Sequence, residues 1–106
     1  MVPSQIPCDF TLMCRGDSMT GAGISNGDIV CIKYQPTVSD GEIAAVLIGD
    51  GATLKRVKFT RDGMILWPEN PDYSPLIFTG RDMEQIRIIG KATYVISKVE
   101  NSNISS

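Results

Sequence analysis

With 106 residues, 42% of them apolar, and ten basic side chains against twelve acidic ones for a net charge of −2, the chain has material for one compact domain and hardly for two. The charge balance lacks the basic surface on which sequence-independent DNA binding leans, and no apolar run approaches the ~20 residues of a membrane helix. The opening MVPSQIPCDF has neither the basic segment nor the apolar core of a signal peptide, so a cytoplasmic location is expected.

Glycine and proline punctuate the chain at short, regular intervals, the pattern of an all-β domain. Residues 10–15 read as a first strand and residues 16–27 as a long turn. The Asn26-Gly27 signal introduces a second strand over 28–34. Residues 42–48 form an apolar run expected as a buried strand. Gly49-Asp50-Gly51 makes a tight hairpin from which 52–59 pairs back. A turn at Arg61-Asp62-Gly63 precedes a strand over 64–67, and 68–75 is a polar loop with three prolines. Residues 76–78 are short and extended, 81–85 allow a helical turn, and 85–98 hold the last β-like stretch, expected to break at Gly90. The expected fold is mainly β, a partly open barrel or clip of antiparallel hairpins. The division is an upstream remnant over 1–8, the domain over 9–99 and a polar tail over 100–106.

Histidine is absent, which removes Ser-His-Asp and Cys-His mechanisms and most zinc sites. The cysteines, Cys8, Cys14 and Cys31, are odd in number and form no Cys-x-x-Cys pair. They are expected as small packed or half-packed side chains, with no metal or cofactor site indicated.

Two residues carry chemistry. Ser18, in Arg15-Gly16-Asp17-Ser18-Met19, follows a strand and is surrounded by glycines, so its hydroxyl can be exposed on a turn beside backbone N–H groups able to hold an oxyanion. Lys55 lies in Thr53-Leu54-Lys55-Arg56-Val57-Lys58-Phe59, where strand alternation puts it on a face with Thr53, Val57 and Phe59 and away from Arg56 and Lys58. An ammonium in apolar company loses charge preference. A base working near neutrality must fall from about 10.4 to about 7–8, or about 3–4 kcal/mol of differential stabilisation. The bland alternatives are an ordinary Gly-Asp-Ser turn and a lysine whose head reaches water.

Three segments resemble the C-terminal domain of the LexA, lambda-type phage repressor and UmuD family. Gly16-Asp17-Ser18-Met19, followed by Gly23-Ile24-Ser25-Asn26-Gly27-Asp28, is similar to the family's nucleophile region. Leu54-Lys55-Arg56 is similar to the strand bearing its general base. Residues 66–75, Leu-Trp-Pro-Glu-Asn-Pro-Asp-Tyr-Ser-Pro, resemble the stretch that follows. The resemblance spans about residues 9–96. It implies a serine endopeptidase with Ser18 as nucleophile and Lys55 as base, and an oxyanion held by the N–H groups of Ser18 and Met19. Asp17 and Met19 receive no side-chain role, and Glu69 and Asn70 are expected to shape their loop.

The resemblance further implies the self-cleavage and dimerisation domain of a transcriptional repressor of the DNA-damage (SOS) response or of a prophage. The expected partners are a second copy, contacting through residues 86–99 as an exposed β edge, and a RecA-type recombinase filament that promotes cleavage. DNA would be bound only through a separate N-terminal domain. One departure stands out: family members cut between a small residue and glycine upstream of the nucleophile strand, and residues 1–8 hold no such pair. Ala22-Gly23 lies inside the active-site turn. The chain is therefore expected to be a fragment without its substrate segment. The alternatives are a UmuD-like processed subunit serving a translesion polymerase, a signal-peptidase-like enzyme, which would want a membrane anchor, and a β domain with a coincidental Ser and Lys.

Overall fold

The computed structural model describes residues 5–97. Seven strands form one antiparallel sheet: β1 (Phe10–Met13), β2 (Ile29–Tyr34), β3 (Ile43–Ile48), β4 (Gly51–Phe59), β5 (Gly63–Trp67), β6 (Leu76–Thr79) and β7 (Ile86–Ile96). Their spatial order is β1-β2-β7-β3-β4-β5-β6, and the sheet does not close. Among the described residues, helix is confined to two short 3-10 turns, Thr20–Ala22 in the turn that follows Ser18 and Gly80–Gln85 before β7.

β3 to β6 make a meander of consecutive hairpins, and β1–β2 a separate hairpin. β7, last in the chain, lies between them. Its first half pairs with β3 and its second with β2, overlapping at Gly90 and Lys91. Two register shifts accompany this change of partner. Ile89 is the extra residue opposite Ala45–Val46, and Thr93 the extra residue opposite Cys31–Ile32. Bulges of this kind bend a strand and raise its twist.

Each face of the bent sheet packs its own core. On one, Val38, Ala44, Val46, Val57, Met64, Leu66, Ile86 and Ile88 are buried together. On the other, Met19, Ile24, Val30, Ile32, Ala45 and Leu54 surround Cys14. The apolar run of β3 is thereby explained, because its neighbouring residues supply opposite cores.

Three expectations need correction. β7 does not break at Gly90 but runs through it. The glycine is there because a Cβ would lie 2.2 Å from the Lys33 carbonyl oxygen of β2. β7 is also an interior strand, not an exposed edge. Among the described residues its β3-side pairing ends at Lys91, so an open edge is limited to the stretch beyond it. Part of the 86–99 segment lies outside the described residues. On β4, Leu54 is buried in the second core. β1 stops at Met13, although Cys14 N–H still donates to the Asp28 carbonyl.

Candidate active site

The turn that carries Ser18 is fixed from below. Met19 is completely buried and is followed by the 3-10 turn, so the backbone at Ser18 is anchored by the second core. Gly16, Gly23 and Gly27 take positive φ, a region open to glycine at little cost. The Asn26 side chain accepts from Gly16 N–H at 2.8 Å, and Asp28 accepts from Ser25 N–H at 2.8 Å. The Asn-Gly-Asp turn therefore ties both ends of the loop.

Ser18 and Lys55, on separate elements, come together. Lys55 Nζ donates to Ser18 Oγ at 3.2 Å, to Thr53 Oγ1 at 2.8 Å and to the Leu54 carbonyl at 3.1 Å. Burial pushes the Lys55 amine below its usual value, with Cys14 opposing the shift. Ser18 and Lys55 line a cleft of about 360 Å³ between the end of β1 (Leu12, Met13) and β4 (Ala52, Thr53). Cys14 borders the same cleft, but burial, and next Asp28, push its thiol up, away from the reactive thiolate. Cys31 is buried too and is pushed up to about 11 by burial and by its contact with Cys8, which is exposed.

Sequence reasoning gave no role to Thr53, although its i, i+2 spacing from Lys55 was the available signal. Nor did it foresee the contacts of the 68–75 loop. Glu69 N–H donates to the Ser18 carbonyl at 2.7 Å, and the Glu69 carbonyl accepts from Gly21 N–H at 2.7 Å. Asn70 Nδ2 donates to the Asp17 carbonyl at 2.9 Å, and Tyr73 OH to Asp17 Oδ1 at 2.5 Å. Asp17 thus has a side-chain partner that was not expected. Glu69 and Asn70 do shape the loop, but against the turn that carries Ser18.

An open antiparallel β domain thus holds a serine and a half-buried lysine within hydrogen-bonding distance in one cleft, in a sequence without histidine. The sequence matches the family described as Peptidase S24-like over residues 1–93, and the chain belongs to that family. Its relatives include LexA repressors. The one from Oleidesulfovibrio alaskensis is 42% identical over 77% of this chain and 39% of its own length. That from Nocardioides sp. is 40% identical over 92% of this chain and 39% of its own. That from Geotalea uraniireducens is 40% identical over 86% and 45%. The chain thus spans about two fifths of the length of these relatives. No helix among the described residues is long and apolar enough to cross a membrane.

Proposed function

We propose that this is the self-cleaving peptidase domain of a LexA-like repressor, with Ser18 as nucleophile and Lys55 as general base. The 3.2 Å approach of Lys55 Nζ, a half-buried amine, to Ser18 Oγ carries the reading. A neutral amine has two N–H bonds and one lone pair. Thr53 Oγ1 and the Leu54 carbonyl can take the two N–H bonds, which turns the lone pair to Ser18. The amine accepts the hydroxyl proton as Oγ attacks a peptide carbonyl. It then delivers that proton to the departing amine, leaving an acyl-serine that water hydrolyses. The N–H groups of Ser18 and Met19 hold the oxyanion, and burial of the Met19 side chain keeps that backbone rigid.

The named relatives are repressors, which favours a repressor over a UmuD-like polymerase subunit. In the whole protein, cleavage would separate a DNA-binding part from a dimerising domain in a cytoplasmic response to DNA damage or prophage induction, with a RecA-type filament as the stimulus.

The test is cleavage of a supplied polypeptide carrying a small-residue–glycine bond, measured against pH. The rate should rise with pH as Lys55 loses its proton, and Ser18→Ala and Lys55→Ala should abolish it. Lys55→Arg should be nearly inactive because guanidinium stays protonated. A flat profile, or an arginine variant as fast as wild type, would remove Lys55 as the base.

A further inference from the structure

Glu69 touches both halves of the site without reaching the cleft. Its backbone brackets the nucleophile turn through the bonds to Ser18 and Gly21. The approach is close enough that a Cβ on Gly21 would lie 2.6 Å from the Glu69 oxygen. Its carboxylate pairs with Arg56 Nε, and Arg56 Nη1 donates to the Gly41 carbonyl at 2.6 Å. Arg56 is the residue after Lys55 on β4. One residue therefore grips the main chain of the nucleophile and the side chain next to the base.

Stability alone is a weak reason for such a pair. Both side chains are 32% exposed, and ion pairs open to water contribute little. Geometry is a stronger one, because a misplacement of about 1 Å in a reacting group can cost about a hundredfold in rate. Ser18 belongs to the turn that follows β1 and Lys55 to β4, and β1 and β4 are not paired with each other.

We propose that Glu69 and Arg56 are positioning residues: their ion pair ties the 68–75 loop to the strand carrying Lys55 and so sets the Ser18 hydroxyl at hydrogen-bonding distance from the amine. The inference rests on the Ser18–Lys55 reading and adds a brace to it. Asn70 and Tyr73 extend the brace to Asp17.

The experiment uses the chain itself and a fluorophosphonate probe. Ser18 Oγ forms a bond to phosphorus, fluoride leaves, and the serine proton passes to Lys55. Labelling rates are read by mass spectrometry from about pH 6 to about pH 10, the range in which a lysine base is activated. Wild type should label on Ser18 with a rate that climbs with pH and is lost in Lys55→Ala. Glu69→Gln keeps the backbone bonds and loses the ion pair. It should label at least about tenfold more slowly at every pH, with the same midpoint, because the burial of Lys55 is untouched. Arg56→Lys retains charge without the planar fork and should fall between the two. A folded Glu69→Gln chain that labels within twofold of wild type overturns the brace and leaves the dyad standing. If Glu69→Gln does not fold, a folded Arg56→Lys chain labelling at the wild-type rate overturns it equally. Wild-type labelling away from Ser18, or independent of Lys55, overturns the dyad and the brace together.

Discussion

Lys55 holds its amine among three oxygens, and in the proposed mechanism only Ser18 Oγ among them reacts. Thr53→Val keeps the shape of the side chain and removes one of the two acceptors that orient the amine. We expect cleavage or labelling to drop by about ten- to a hundredfold while the urea midpoint stays nearly unchanged. Lys55 also leaves a signature on stability. Its folded-state pKa lies below the ordinary 10.5 because burial disfavours the charge. Between those values the unfolded chain binds more protons, so stability rises with pH across that window, and the cost of the buried charge is fully present below it. Lys55→Met should therefore melt higher than wild type near pH 7, with the advantage shrinking as pH approaches about 10.5. Melting curves at several pH values check this, and a gap that widens with pH would contradict the assignment. Ser18 and Lys55 were singled out in the sequence by the family resemblance, because a Gly-Asp-Ser turn and a strand lysine each have an ordinary structural explanation on their own. The contacts of Asp17 and Glu69 were not, because they join residues far apart in sequence, and only the folded register brings Tyr73 to Asp17.

The strands were readable from their apolar runs and glycine punctuation, with ends shifted by a residue or two, as at β1 and β5. β7 was the exception. A glycine inside a strand pattern reads as a break or a bulge, and local sequence cannot tell that a neighbouring backbone needs the space. Here the need is explicit, since a Cβ at Gly90 would meet the Lys33 carbonyl at 2.2 Å and Ile32 Cγ2 at 2.7 Å. Gly90→Ala should therefore destabilise the domain by about 1–3 kcal/mol or more, as overpacking does, and a urea titration would show it. Wild-type stability in that variant would mean β2 and β7 are not so closely apposed. At the 68–75 loop, Gly21→Ala should push Glu69 away and slow Ser18 labelling, again through a steric contact rather than chemistry.

The molecule has two cores but one sheet, and β3 supplies both, with Ala44 and Val46 on one side and Ala45 on the other. Neither core can be lost without the strands that build the second. Val46→Ala and Val30→Ala, one from each core, should each cost about 1–3 kcal/mol, and each should leave a single unfolding transition seen alike by near- and far-ultraviolet circular dichroism. Two separate transitions would show that the cores melt independently. Self-association is proposed through the part of β7 beyond Lys91, where β3 no longer pairs with it. Sedimentation should then show a monomer–dimer equilibrium, and a monomer alone at high micromolar concentration would exclude that contact.

The placement of β7 also sets an order of events on the ribosome. The β1–β2 hairpin bordering the Ser18 turn and the β3–β6 meander carrying Lys55 are translated first, and among the described residues no strand pairing joins them directly. The strand that splices them emerges last. Until it leaves the exit tunnel the strand pairing that holds the Ser18 turn and the one that holds Lys55 stay unjoined, with only the contacts of the 68–75 loop to link them. Under the proposed Ser18–Lys55 reading, the cleaving site is thereby kept from maturing while the chain is still nascent.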